Sequence, residues 1–232
     1  MRSAPAIRRD EDAIFREWLG AKPGLTPRFV KDGVADGGSF LRAARRVVLL
    51  LKEPHSDRGG WDFRETVLDG PKGQATWWNA ARWSLLLQSS DTPSWDDVRQ
   101  QDRMTQRDIL KSVAIVNLKK TLGGPSSVRR EIHTFVTEYR EFLRRQVALY
   151  EPHVTLLCGT AEFLGDLLTD DELGQRKTTP NNVAYRISPV LGIALRYCHP
   201  QVRGRPHRRL YENLARAVTF ISGIESSLTS GA

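Results

Sequence analysis

Four short apolar runs limit what this chain can fold into. They are Arg46-Val-Val-Leu-Leu-Leu-Lys52, Ser112-Val-Ala-Ile-Val-Asn117, His153-Val-Thr-Leu-Leu-Cys158 and Leu191-Gly-Ile-Ala-Leu-Arg-Tyr-Cys198. The first is apolar on both faces, and all four are strand-length. A strand buried on both faces belongs inside a parallel sheet that helices cover on each side. Segments with helical periodicity lie between the runs. Trp77 to Gln88 is one, and Val128 to Tyr150 is the longest, with Ile132, Phe135, Val136, Tyr139, Leu143 and Val147 on one side. Shorter helices are expected over 10–19, 39–45, 161–168 and 206–220, and a minor strand over 183–188. Residues 20–38, 54–75, 89–105 and 169–182 read as loop or polar connector, with one short helical stretch inside 54–75.

Strand–helix alternation of this kind predicts an α/β fold: a single three-layer α/β/α domain around a central four-stranded parallel sheet. The domain spans residues 1–232. Its core is about 45–220, preceded by N-terminal helices and a loop over 1–44, and 221–232 is expected to be a frayed tail. A length of 232 residues is enough to bury one substantial core and slightly long for a single domain.

Charge narrows the partner. The net charge is +8, and only eight of the 35 basic side chains are Lys. Arginine makes planar, bidentate contacts with phosphate that Lys cannot make. An Arg-rich basic domain therefore points to a polyanion, most simply nucleic acid. No apolar run approaches the eighteen residues of a membrane span. The first residues, MRSAPAIRRDEDAIF, contain no apolar signal core. The expectation is a cytoplasmic monomer without membrane contact, its Cys158 and Cys198 reduced. Two cysteines are too few for a four-Cys cluster.

In open α/β sheets, ligands sit beyond the carboxyl ends of the strands. That rule selects Glu53-Pro54-His55, Asn117, Gly159 and His199-Pro200. A carboxylate, an amide and an imidazole suit a hydrolysis that needs no metal. The carboxylate orients water or stabilises a cation, the amide reads a hydrogen-bonding edge, and the imidazole stabilises a departing anion. No Gly-x-Gly-x-x-Gly follows any strand, which argues against a dinucleotide enzyme, and no cofactor is expected.

In order and spacing these elements resemble the uracil-DNA glycosylase superfamily. The family's first motif reads Gly-Gln-Asp-Pro-Tyr in the uracil-specific branch, where this chain has Leu51-Lys52-Glu53-Pro54-His55. Its next core strand ends in a base-reading Asn, matched by Asn117. A glycine turn follows the third strand, as at Gly159. The last motif opens His-Pro, as in Cys198-His199-Pro200-Gln201, and leads into a loop that wedges into DNA. The resemblance covers about 45–220. It implies a monofunctional DNA glycosylase that flips out a pyrimidine and hydrolyses its N-glycosidic bond, leaving an abasic site. Glu53 and His199 would be catalytic.

Departures from the family pattern bear on the substrate. Glu53 stands in place of Asp. His55 stands where the uracil-specific branch has a Tyr that excludes C5-substituted bases. The resemblance therefore also admits a hypermodified pyrimidine, such as glucosylated hydroxymethylcytosine in phage DNA, within antiviral defence. Base recognition is assigned to Asn117, His55 and a stacking ring, Trp61 or Phe63. DNA binding is assigned to Lys119, Lys120, Arg203, Arg205, Arg208 and Arg209, with Pro200, Val202 or Pro206 as wedge. Competing readings are a uracil or damaged-base repair glycosylase, a non-catalytic nucleic-acid-binding domain, and a metal-dependent nuclease using Glu53, Asp57 and Asp62.

Overall fold

The structure is a computed structural model that describes residues 3–56, 58–70, 75–124 and 126–229, with side chains to Ile224. All four apolar runs are strands. β2 (Val47–Leu51), β3 (Ala114–Asn117), β4 (Val154–Cys158) and β7 (Gly192–Tyr197) form consecutive parallel pairs in the spatial order β3-β2-β4-β7. The sheet is larger than expected. β1 (Gly33–Val34) adds antiparallel to β3, while β6 (Ala184–Ser188) and β5 (Arg176–Thr178) extend antiparallel from β7. The four-stranded parallel sheet is thus corrected to a mixed sheet of seven strands, parallel only in its middle.

Burial explains why the middle was visible in sequence and the edges were not. Every residue of β2 and β4 is buried, whereas every residue of β5 is exposed. Alternation along β2 sends Val47, Leu49 and Leu51 into one apolar cluster and Val48 and Leu50 into the other. The first cluster is completed by α3 (Phe63–Asp69), α4 (Ala75–Gln88), α5 (Trp95–Arg99), α6 (Arg103–Lys111) and α11 (His207–Thr229). The second is completed by α1 (Ala4–Ala21), α2 (Gly37–Arg42), α7 (Arg129–Glu138), α8 (Arg140–Leu149) and α9 (Leu164–Leu167). Helices therefore cover both faces. A short α10 (Asp170–Leu173) precedes β5.

Several boundaries move. The long helix expected over 128–150 breaks at Tyr139, whose backbone turns to φ −112°, ψ 20°. Its ring packs against Trp18 at 5.4 Å and Phe135 at 4.5 Å. Both halves bury the same apolar face, so periodicity alone does not register the break. The expected connector 89–105 contains α5 and the start of α6, each opened by a side-chain cap: Ser94 with Asp97, and Asp102 on the Thr105 N–H. The expected tail is helical through Thr229. Among the described residues, no helix is long and apolar enough to cross a membrane. Cys158 and Cys198 are both free thiols, and burial pushes the Cys158 thiol well up.

Candidate active site

Strand order reverses at β2: the chain passes outward from β2 to β3 and then returns to β4 on the other side. Such a switch point opens a crevice at the carboxyl ends of the strands. Asn117, the last residue of β3, is in register with Leu51. Glu53 follows β2 by two residues, Gly159 follows β4 directly, and His199 follows β7 by two. At about 4.8 Å per strand, the row from Asn117 to His199 spans about 15 Å. Within it, a Cβ placed on Gly159 (φ +73°) would lie 3.4 Å from Lys52 Cε and 3.7 Å from His199 Cβ. The glycine lets these two side chains close over the end of β4.

Glu53 is held by one oxygen only. Lys119 Nζ donates to its Oε2 at 2.8 Å and to Glu131 Oε2 at 2.7 Å. The Glu53 side chain is 5% exposed, and its Oε1 is buried without a hydrogen-bond partner. The loop after β3 lies directly against it: a Cβ on Gly123 would stand 2.0 Å from Glu53 Cδ. His55 is exposed, its Nδ1 3.3 Å from the Gly123 carbonyl oxygen.

The imidazole of His199 is oriented from its own loop. The Gln201 backbone N–H donates to Nδ1 at 3.1 Å, which leaves the ring proton on Nε2. Burial, with Lys52 close by, lowers its pKa to about 4, so the ring is neutral at ordinary pH. Neighbouring Pro200 is buried, and its carbonyl accepts from Asn79 Nδ2 at 2.7 Å, tying the loop to α4. Buried Pro200 is thereby excluded as a wedge, while Val202 is half-buried and Pro206 exposed.

Asn117 is 3% exposed, and both its backbone N–H (2.8 Å) and its Nδ2 (3.1 Å) donate to Asp32 Oδ2. Asp32 lies in a stretch that its sequence marks only as loop. It anchors a buried polar network, accepting from Lys120 Nζ at 2.5 Å and Gln146 Nε2 at 3.0 Å. Gln146 donates to Tyr150, Tyr150 to Glu11, and the Arg64 guanidinium bridges Glu11, Asp12 and Asp62. The signal available in sequence was the pair Lys119-Lys120 directly after an apolar strand, since a lysine so placed needs a buried carboxylate.

Two lysine assignments are therefore corrected. Lys120 has no exposed surface, and Lys119 is 7% exposed between two carboxylates; both anchor the crevice from inside instead of meeting phosphate. Phe63 is also corrected. It is 5% exposed and packed on Trp77 at 5.0 Å, which makes it a core ring. Trp61 is half-buried and its Nε1 has no partner. Arg203, Arg205, Arg208 and Arg209 are all exposed along the loop and first turn leading into α11. Arg208 pairs with Glu212 at 2.7 Å. Of the nuclease set, Asp62 caps α3 and is held by Arg64 and Arg8, and Asp57 lies outside the described residues.

No protein-family model matches this chain, and no curated protein shows significant similarity to it.

Proposed function

We propose that the protein is a monofunctional DNA glycosylase of the uracil-DNA glycosylase-like type, acting on a pyrimidine flipped into the crevice at the ends of β2, β3, β4 and β7. The observation that carries this reading is the split environment of Glu53. One carboxylate oxygen is fixed by Lys119, and the other is buried, unpartnered and packed against the Gly123 loop, two residues past the end of β2. A carboxylate held in this way can orient a water molecule and stabilise a sugar cation. As the N-glycosidic bond breaks, its electron pair leaves with the base and positive charge develops at C1′. Water adds to C1′ and gives its proton to Glu53. His199, neutral, donates from Nε2 to the base oxygen on which negative charge collects. The departing base takes a proton from solvent and Glu53 gives its proton back to solvent, so the products are a neutral free base and an abasic strand. Asp32 holds the Asn117 amide in place, and that amide has a further N–H and a carbonyl oxygen for a pyrimidine edge.

His55, where the resemblance expects a Tyr that excludes C5-substituted bases, is exposed beside the Gly123 carbonyl; that supports acceptance of C5-substituted pyrimidines, and with it a defence role against modified phage DNA. The test is mass spectrometry of bases released from a panel of DNAs: unmodified, uracil-containing and phage-modified. Release of one modified pyrimidine without strand scission is expected, and no release from any member overturns the reading. A binding-only domain is the alternative. The 5% exposure of Glu53 favours it, and it predicts DNA binding with no released base.

A further inference from the structure

Three arginines outside the crevice share one face of the sheet. Register places Arg176 on β5 beside Arg186 on β6, and Arg186 beside Ala194 on β7. Side chains two residues apart on a strand point the same way. Ala184 and Arg196 therefore join Arg186 and Ala194 on that face, in a checkerboard of guanidinium groups and alanines. The alanines leave room: a cavity of about 110 Å³ lies among Arg176, Arg186, Arg196, Ala184, Ala194 and Leu164.

This arrangement is unfavourable on its own. Like charges directly opposite each other on paired strands destabilise a sheet. No carboxylate forms an ion pair with any of the three among the described residues. Of the acids on the elements beside this face, Glu172 pairs with Arg144 and Glu162 with Arg129, and Asp170 and Asp171 form no ion pair with the three arginines among the described residues. Arg186 donates to the Gly174 carbonyl, and Arg176 and Arg196 remain exposed. The face thus presents guanidinium groups that no described carboxylate neutralises, and guanidinium is suited to planar, bidentate contacts with phosphate oxygens.

The cluster is also continuous with the loop that leads into α11. A second cavity, about 410 Å³, shares Arg176 and Arg196 with the first and extends to Cys198 and Arg205. Arg196 thus borders both hollows. Two arginine-lined hollows in series describe a track for a chain of phosphates more naturally than a closed site for one small molecule.

We infer that Arg176, Arg186 and Arg196 bind backbone phosphate, carrying the nucleic-acid footprint from the α11 loop onto the β5–β6–β7 face. The inference rests on the DNA-partner reading above. Its test reads binding and not base release, so it stands or falls separately from the roles of Glu53 and His199.

The variant is Arg176→Gln/Arg196→Gln, because both side chains are exposed and their removal breaks no described hydrogen bond. Duplex binding is measured by fluorescence anisotropy over a range of KCl. The slope of log affinity against log salt should become shallower by about two, at about 0.9 per phosphate contact, and the melting temperature should not fall. An unchanged slope in a variant that still binds DNA overturns this inference and leaves the glycosylase reading intact. A wild-type chain that binds no DNA overturns both. An arm with millimolar inorganic phosphate separates the sources. If phosphate raises the melting point of the wild type and not of the variant, while the salt slope is unchanged, the site takes a free anion and the extended footprint is wrong. Arg176→Lys/Arg196→Lys keeps the charge and should retain the slope; a slope lost there as well would assign the effect to altered structure and overturn the inference.

Discussion

The working surface of this site is set by small differences at single residues. Glu53 has one tethered oxygen and one unpartnered oxygen, and only a glycine at position 123 can lie so close to it. Gly123→Ala brings a methyl group to 2.0 Å from Glu53 Cδ, so either the carboxylate or the loop must shift. Base release should fall by about a hundredfold or more, as when an aligned catalytic group is displaced. Circular dichroism and DNA affinity should stay near wild type. His199 makes a second prediction. Its pKa of about 4 in the folded chain lies below the ordinary 6.5, so between those values the unfolded chain binds the proton and the folded chain does not. Stability from this residue is therefore complete above pH 6.5 and lost as pH falls toward 4. Allowing for partial solvent access, the loss is on the order of 2 kcal/mol. Glu11, pushed up by burial, contributes with the opposite sign. The effect is thus read as the difference between wild type and His199→Asn in denaturant melts from pH 7 to 4. The same depressed pKa predicts no acidic limb from His199 near pH 6.5 in the single-turnover rate.

At the scale of elements, the loop after β3 is the piece that joins structure to chemistry. Flanking the site in sequence suggests phosphate contact for Lys119 and Lys120. The loop instead turns inward, and Lys120 meets Asp32 where neither side chain has exposed surface. Removing one partner of a buried ion pair leaves an uncompensated charge and costs about 3–5 kcal/mol. Lys120→Met should therefore lower the unfolding free energy by about that amount. It should leave the salt dependence of DNA binding unchanged where the variant remains folded. A shallower salt slope with unaltered stability would return Lys120 to the interface. Burial also depresses the Lys120 pKa while Asp32 opposes that effect, so the pair is held together by mutual need and not by surplus attraction. Through Asp32, the same network fixes Asn117 at the end of β3.

For the molecule as a whole, what could be read from sequence follows from what is buried. β2, β3, β4 and β7 announce themselves because apolar runs at the centre of a sheet have few other uses, and their ends supplied Glu53, Asn117 and His199. β5, three exposed polar residues long, carries no such signal, and neither does the break at Tyr139. The Lys119-Lys120 pair signals that a buried carboxylate is needed, but which residues pair within the network of Glu11, Arg64, Asp32 and Lys120 is not legible, for a different reason. Its members come from four separate parts of the chain, and only the tertiary fold pairs them. The capping boxes at Ser94 and Thr169 were legible but too local to reveal the helices they open. If Glu53 and His199, at the carboxyl ends of β2 and β7, break a glycosidic bond, single-turnover base release from a DNA substrate that the wild type processes separates wild type, Glu53→Gln and His199→Ala at saturating protein. Each variant should bind that DNA as the wild type does and release base about a hundredfold more slowly or worse, leaving the strand unbroken. Wild-type rates from both variants, in DNA demonstrably bound, would rule out this chemistry.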